Sequence, residues 1–326
     1  MCNCENEIIE EEFNKLLQKD NQITFSIVYN DYNKTRQWVH FFYSKTMNQL
    51  TTYKTCSVDT ETLELRISNF RTILKNKKIA IFGLGAIGSF VATSLGRHGL
   101  NTIKIIDRDV LEPVNTIRHA LGTSYIGISK VIAVATKINS QALGFTTVEQ
   151  FDDKGFQMDN YREIIEDVDI VVDCTANKNF SLMLNQLCLE KHKTAVYITS
   201  HRKAFIGKVI LVRPNIDPCL CCYYGENGII DNHKENNYPF LPIDKNDEIN
   251  LGCGSITYSG ISSDIEMIAN WGVKIVLKVL QNAIENNFCL IVNELINESD
   301  LHIDFTKEGH VFKTFLKKKG CEICGK

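Results

Sequence analysis

The sequence predicts an α/β fold centred on a doubly wound, mostly parallel sheet, with a small N-terminal α+β appendage. The first observation is an apolar strand pattern over 77–82 that leads into Gly83, Gly85 and Gly88, spaced G-x-G-x-x-G. The second is the alternation of strand and helix patterns over 102–212. A strand, a glycine turn and a helix in that order are typical of a Rossmann-like domain.

Composition limits the classes of function that the chain can serve. Its 326 residues are 44% hydrophobic, enough for a sizeable core, and its net charge of −3 gives no electrostatic reason to expect nucleic acid. The absence of a run of about eighteen apolar residues predicts no membrane span. Because the first residues lack signal-peptide features, we expect a cytoplasmic protein. Twelve cysteines in a reducing compartment indicate metal ligands or a reactive thiol.

The N-terminal part carries no recognisable motif. We expect residues 1–75 to form a small region of unknown role and residues 76–326 to form the main domain. The patterns within the first region predict one helix and three strands, with a polar stretch between the second and third strands. The expected elements are a helix at 8–17, strands at 23–29, 35–43 and 63–67, and the polar stretch at 46–60.

The glycine turn predicts a phosphate-binding loop. Gly83 permits the tight turn, Gly85 lets backbone N–H groups approach a phosphate, and Gly88 lets the helix pack closely on the strand. The predicted helix over 86–97 offers its N-terminal N–H donors and dipole to an anion, and Gly99 suits a left-handed cap after it. Alone, the turn indicates only a nucleotide.

Asp107 ends the next predicted strand, over 102–106, nineteen residues after Gly88. An acid at this distance holds a ribose hydroxyl in dinucleotide-binding folds. The alternative is an ordinary acid at the end of a strand.

Asn115, Arg118 and Lys130 follow the turn and indicate a phosphate site. Lys130 opens a predicted helix, where a cation opposes the helix dipole unless an anion lies nearby. Arg118 can form a bidentate phosphate contact. Each cation alone could be solvated, but two cations and an amide after such a turn favour phosphate.

Asp173 follows a largely apolar stretch over 168–172. A buried strand in a parallel sheet delivers such an acid to the crevice at the carboxyl edge, where it could coordinate Mg²⁺. A role as a helix cap or strand-end acid is equally compatible with the sequence.

Two Cys-x-x-Cys pairs, Cys219 with Cys222 and Cys321 with Cys324, predict a closed tetrahedral zinc site. Because the pairs lie far apart in the chain, the metal would tie the C-terminal tail to the body. Cys221 is the expected spare thiol. The alternative is a set of unrelated free thiols.

Residues 223–252 are polar and predict a long crossover loop that leads to Cys253, between two glycines. We expect this thiol to be accessible, because it lies between two glycines at the end of a flexible loop. A predicted helix over 262–284 follows the loop.

These motifs, in this order, resemble the ubiquitin-activating-enzyme-like adenylyltransferases of the ThiF, MoeB and HesA type. The similar segments cover about 75–325: 83–88, 106–109, 115–118, Lys130, 173–175 and the two cysteine pairs. The resemblance implies adenylation, with ATP and Mg²⁺, of the C-terminal carboxylate of a ubiquitin-like or sulfur-carrier protein with a Gly-terminated tail. The stretch 115–130 is more similar to bacterial members from antiphage conjugation operons, which implies a role in antiviral defence.

The resemblance also implies roles for individual residues. Asp107 would hold the ribose, Asp109 would lie near the nucleotide and the substrate carboxylate, and Asp173 would hold magnesium. Asn115, Arg118 and Lys130 would neutralise the triphosphate. Cys253 would receive the acyl group as a thioester, or would be a bystander if the adenylate is handed on directly.

The implied partners are the carrier, a conjugating enzyme or sulfurtransferase, and a second copy of the chain. Ala176 departs from the family pattern, in which many members have an acid. Arg66 and Arg71 are candidates for an arginine supplied to the partner protomer, although neither lies in a motif. The alternative functions are a nucleotide-binding scaffold without catalysis and an NAD-dependent oxidoreductase; Arg118 and Lys130 argue against the latter.

Overall fold

The computed structural model describes residues 22–30, 36–47, 49–55, 64, 69–142, 144–200, 204–224, 248–250, 256–258, 260–293 and 309–324. The chain divides into two compact units, Met1–Leu65 and Arg66–Lys326. This division lies ten residues before the boundary expected from the sequence. The reason is that the helix before the glycine turn belongs to the second unit, where Leu74 is fully buried.

The first unit contains an antiparallel sheet of β1 (Gln22–Asn30), β2 (Arg36–Ser44) and β3 (Gln49–Thr55), with β2 in the centre. The first two strands match the predicted ones. β3 was not predicted, because its stretch is polar; its threonines are nevertheless β-branched and suit a strand. The predicted helix at 8–17 lies outside the described residues. Of the predicted strand at 63–67, only Glu64 is described, and it is helical.

The second unit alternates strands and helices. Its helices are α1 (Asn69–Leu74), α2 (Ala86–Gly96), α3 (Lys130–Ala142), α4 (Met158–Glu166), α5 (Lys178–Glu190), α6 (Leu220–Tyr224) and α7 (Ser262–Leu280), with 3₁₀ turns at Pro113–Arg118 and Thr123–Tyr125. Its strands are β4 (Lys78–Phe82), β5 (Thr102–Ile106), β6 (Thr147–Phe151), β7 (Ile170–Asp173), β8 (Thr194–Ser200), β9 (Ile206–Val212), β10 (Glu248–Asn250), β11 (Ile256–Tyr258), β12 (Phe288–Val292) and β13 (Gly309–Lys313). Within the described ranges, every helix is too short or too polar to cross a bilayer.

The main sheet confirms the predicted α/β class. Eight strands lie in the order β13-β12-β9-β8-β7-β4-β5-β6. The five from β8 to β6 are parallel, and their order corresponds to the doubly wound arrangement 3-2-1-4-5. Strands β5 and β6 are added on one side of β4, and β7 and β8 are added on its other side. The switch point therefore lies between β4 and β7. A crevice therefore opens at their carboxyl ends, which is where ligands bind in such folds.

The sheet is buried on both faces, because helices cover each side. All seven residues of β9 and all five of β5 are buried. One apolar layer joins the sheet to α2, α3 and α7, and the other joins it to α4 and α5. This double burial explains the nearly continuous apolar character of the central strands.

The C-terminal side of the sheet is antiparallel and holds the tail. β12 pairs antiparallel with β13 on one side and with β9 on the other, and β9 pairs antiparallel with β8. The sequence analysis did not predict β13. After β13, the buried Asn287 side chain accepts a hydrogen bond from the N–H of Phe315 and donates to its carbonyl, at 2.9 Å each.

Candidate active site

The glycine turn is closely packed against the end of β7. Gly83 has a φ of +82°, and a Cβ there would lie 2.8 Å from the Cα of Thr175. A Cβ on Gly88 would lie 1.8 Å from the carbonyl oxygen of Gly83. Both positions therefore exclude a side chain. Gly85 differs, because a Cβ there would meet open space. It precedes α2, whose first N–H groups have no partners within the helix.

Asp107 connects the end of β5 to the glycine turn. Its carboxylate accepts hydrogen bonds from the N–H groups of Leu84 and Asp109, at 2.6 and 2.8 Å. Burial raises the pKa of Asp107, and the positive charge of Lys130 opposes that shift. Each oxygen retains acceptor capacity, so the predicted contact with a ribose stays compatible with this geometry.

Lys130 is a nearly buried cation beside these acids. Its residue is 8% exposed, and its Nζ lies 2.9 Å from the Oδ2 of the exposed Asp109. Its backbone N–H also donates to the carbonyl of Asp109 at 2.9 Å. The first turn of α3 is thereby tied to the segment after β5, and the charge of Lys130 is placed at the crevice.

Asn115 and Arg118 lie in the first 3₁₀ turn. The side-chain oxygen of Asn115 accepts a hydrogen bond from the N–H of Glu112 at 3.0 Å, which orients its amide group. Arg118 is partly buried, and this burial lowers the pKa of its guanidinium. Their predicted contacts with phosphates stay predictions.

His119 is a buried residue whose role was missed in the sequence analysis. Its Nε2 donates to the carbonyl of Leu84 at 2.7 Å, and its Nδ1 accepts from the N–H of Leu121 at 3.2 Å. These partners require the neutral ring with hydrogen on Nε2. Burial lowers the pKa of His119 to about 4. The ring thereby holds the carbonyl of Leu84, the residue whose N–H is bonded to Asp107, and a lone histidine in the sequence carried no signal for this.

Asp173 lies at the carboxyl end of β7 and is 2% exposed. One oxygen accepts from the N–H and hydroxyl of Thr175, at 2.8 and 2.7 Å, and the other accepts from the hydroxyl of Ser181. Burial raises the pKa of Asp173, and these hydrogen bonds oppose the shift. The residue thus secures the β7–α5 turn, and three of about four acceptor positions are used. Coordination of magnesium by this carboxylate stays a prediction.

The four predicted zinc ligands come together. The Sγ atoms of Cys219, Cys222, Cys321 and Cys324 all lie within 4.8 Å of one another. Three of the separations are 3.4, 3.7 and 4.0 Å. Four thiolates bound tetrahedrally to zinc lie about 3.8 Å apart. The donor set therefore fits a structural zinc site, and Cys221 is not one of the four.

Two predicted residues cannot be placed. Cys253, most of the crossover loop 223–252 and Arg66 lie outside the described residues. Arg71 is described: it donates to the carbonyl of Gly99 and its guanidinium lies 4.8 Å from the ring centre of Phe145. Gly99 itself has the predicted left-handed conformation, with a φ of +68°.

The chain is similar to known proteins over most of its length. The sequence profile of the ThiF family matches residues 62–317. The uncharacterized protein y4qC of Sinorhizobium fredii (strain NBRC 101917 / NGR234) is 30% identical over 223 residues, 64% of this chain and 38% of its own length. Ubiquitin-like modifier-activating enzyme 5 of Drosophila ananassae is 26% identical over 159 residues, 46% of this chain and 40% of that enzyme. The chain thus spans about two fifths of these curated relatives.

A solved structure shows the same fold. The crystal structure of E. coli MccB with ATP superimposes with a TM-score of 0.58 at 18% identity, over 78% of this chain and 68% of that one. Likeness at this identity concerns the fold alone.

We expect His119 to make stability depend on pH. The unfolded pKa is about 6.5 and the folded pKa about 4, so the unfolded chain binds more protons between these values. Stability should be complete above about pH 6.5 and should fall by up to about 3 kcal/mol as the pH decreases to about 4. Urea denaturation of wild type and His119→Gln at several pH values measures this. Parallel pH profiles for the two proteins would contradict the assignment.

We also expect about one zinc ion per chain in the purified protein, measured by plasma mass spectrometry. Cys222→Ser and Cys321→Ser should lower the zinc content and increase hydrogen exchange over 314–324, because the metal joins the tail to α6. Cys221→Ser is the matched control, since it removes a neighbouring thiol outside the cluster. Equal zinc loss in all three variants would refute the ligand set.

Proposed function

The chain belongs to the ThiF family, and on that premise we propose that it adenylates the C-terminal carboxylate of a ubiquitin-like or sulfur-carrier protein with a Gly-terminated tail. Two comparisons support the proposal. A Drosophila relative is named as a ubiquitin-like modifier-activating enzyme, and the similar E. coli fold was solved with ATP. The curated relatives are longer than the matched part, so the whole activity is a proposal for this chain.

The observation that carries the proposal is the nearly buried Lys130 between Asp109 and the glycine turn. Burying an ammonium is costly unless charge compensates it. Among the residues that the structure describes, the carboxylate bonded to Lys130 is that of the exposed Asp109. A bound triphosphate would supply further negative charge. A dinucleotide brings only a pyrophosphate to the crevice, whereas a triphosphate brings more negative charge, so Lys130 together with Arg118 favours the triphosphate over the oxidoreductase alternative.

The chemistry follows from charge placement. A carrier carboxylate oxygen attacks the α-phosphorus of ATP, the bond to the β-phosphate bridging oxygen breaks, and pyrophosphate leaves with its electron pair. Lys130 and Arg118 would neutralise the developing charge, and Asn115 would donate from its oriented amide. Asp107 would hold the ribose, and Asp109 would position Lys130. Magnesium, held with help from Asp173, would supply further neutralisation of the phosphates.

A thioester step would complete activation. The thiolate of Cys253 attacks the acyl carbon of the adenylate, a thioester forms, and AMP leaves. Its support is the sequence position between two glycines at the end of the crossover loop. The acyl group would then pass to a conjugating enzyme or sulfurtransferase.

We further propose a homodimer in the cytoplasm. The segment between Asp109 and Lys130 and the helix after it expose an unusual number of aliphatic side chains, and Ile117 is 78% exposed. The exposed aliphatic residues are Val110, Val114, Ile117, Ile126, Ile128 and Ile132. Water-exposed apolar surface beside a nucleotide site favours association with a second copy.

A second candidate function is a nucleotide-binding scaffold without catalysis. Ala176 favours it, because this residue replaces an acid of many relatives and adopts a φ of +54°, unusual for alanine. The retained Lys130, Arg118 and Asp173 argue for catalysis.

Lys130→Ala should lower ATP–pyrophosphate exchange at least about 100-fold, because it removes a cation at the developing charge. The assay uses a purified candidate carrier protein whose tail ends in Gly-Gly. Lys137→Ala is the matched control, since it removes a lysine from the same helix. Exchange at the wild-type rate in Lys130→Ala, with thermal melting confirming the fold, would reject this role.

Cys253→Ala should abolish a reducible covalent adduct between the chain and the carrier, while exchange continues. The adduct is detected on a non-reducing gel after incubation with ATP. Cys221→Ser serves as the control and should retain the adduct. An adduct that persists in Cys253→Ala shows that another thiol is the acceptor.

A further inference from the structure

A group of aromatic and basic side chains lies where α7 packs beside β13. Ring contacts join Trp271 on α7 to His310 and Phe312 on β13, with ring centres 3.7 and 5.8 Å apart. The Nζ of Lys274 lies 4.7 Å from the ring centre of Trp271. The Nζ of Lys278 lies 5.4 Å from the ring centre of Phe312. These five residues form one surface, which we call the lysine–aromatic cluster.

The lysine–aromatic cluster concentrates positive charge. Lys274 and Lys278 are both exposed. Within the described ranges, each ammonium group faces an aromatic ring and neither is paired with a carboxylate. Burial and the positive charges of the two lysines lower the pKa of His310. Because this part of the chain does not neutralise the two charges, an anionic partner would complement them.

The strand beside the cluster lies at the edge of the main sheet. Among the described strands, β13 pairs with β12 alone. Alternate residues of a strand direct their N–H and C=O groups to opposite sides, so about half of these groups on β13 face outward. Such an edge accepts an extended peptide as a further strand. The backbone edge therefore favours an extended peptide over other anions.

The helix and the strand share a common spacing. Lys274 faces the ring that stacks on His310, and Lys278 faces Phe312. The two lysines are four residues apart on a helix, which corresponds to a rise of about 6 Å. His310 and Phe312 are two residues apart on a strand, which corresponds to about 6.7 Å. Residues two positions apart in an added strand would have the same spacing and would share one face. Two acidic side chains so placed would lie opposite the two lysines.

We propose that β13 and the lysine–aromatic cluster bind an extended segment of a partner protein that carries two acidic residues two positions apart. The segment would add to the sheet as a strand, and its acids would form ion pairs with Lys274 and Lys278. Five strand spacings, about 24 Å, separate β13 from β4 and the glycine turn. A partner bound at this edge would therefore leave the nucleotide crevice open, and the surface is distinct from the proposed adenylation site.

The probe is a short labelled peptide that alternates valine with polar residues and carries two glutamates two positions apart. One matched peptide carries glutamines at the same positions. Another carries its glutamates three positions apart, which places them on opposite faces of a strand. Fluorescence anisotropy with the wild-type protein should show about fivefold tighter binding of the first peptide than of either match, because two exposed ion pairs form.

The two lysines should account for this preference. Replacing both, as Lys274→Gln with Lys278→Gln, should lower the preference to about one, and either change alone should lower it in part. Lys154→Gln is the matched control and should keep the preference, because it removes an exposed lysine outside the cluster. Since all three lysines are exposed, the variants should keep the fold, which thermal melting checks.

Backbone pairing is tested separately with two further peptides, each methylated at alternate backbone nitrogens, in one register or the other. A strand presents different N–H groups at its two edges, so only methylation on the edge that faces β13 should abolish binding. Hydrogen exchange at the backbone of 309–313 should also slow when the unmethylated peptide binds.

Three results would overturn the proposal. Glutamate and glutamine peptides could bind the wild-type protein equally, or the preference could persist after both lysines are replaced. Equal binding of the two methylated peptides would show that no strand is added. Binding of an oligothymidylate that requires both lysines, without peptide binding, would assign the cluster to nucleic acid instead.

Discussion

The close approach between the glycine turn and the ends of β4 and β7 is the constraint on which the site depends. No side chain fits at Gly83 or Gly88, because a Cβ would collide with the backbone of Thr175 or of Gly83 itself. This contact sets the start of α2 directly against the switch point of the sheet. The backbone of the turn therefore forms the floor of the crevice, and the charged residues lie around it.

Polar residues secure this floor before any ligand binds. Asp107 holds the turn from β5, His119 holds it from the segment after β5, and Asp173 holds the β7–α5 turn. Burial disfavours the charged form of each. The charge of Lys130 and hydrogen bonds oppose this effect at Asp107, and hydrogen bonds oppose it at Asp173. At His119, burial favours the neutral ring, and a protonated Nδ1 would also face the N–H of Leu121. The two acids accept hydrogen bonds from N–H and hydroxyl donors, so they stabilise the loop and still offer acceptors to the crevice.

The sequence analysis predicted the elements whose physical signal is local. Short apolar runs that alternate with helical patterns predicted the parallel strands, the glycine spacing predicted the turn, and the cysteine spacing predicted the four thiols that converge. It missed features that depend on distant partners. The pairing of β13 and the contact of Asn287 with Phe315 join segments that are distant in the chain. The sequence pattern of one segment does not indicate the other as its partner. His119 illustrates the same limit, because only the fold brings Leu84 to its ring.

The cysteine cluster and Tyr224 are connected by a helix of five residues. Cys219 immediately precedes α6, Cys222 lies within it, and Tyr224 ends it, while the N–H of Leu220 donates to the side chain of Asn185 on α5 at 3.2 Å. A metal at the cysteines would fix the position of α6 and hence the ring that lies beside Lys178 and Lys208. Zinc would then do more than tie down the tail. It would also fix the position of Tyr224, the last described residue before the predicted crossover loop.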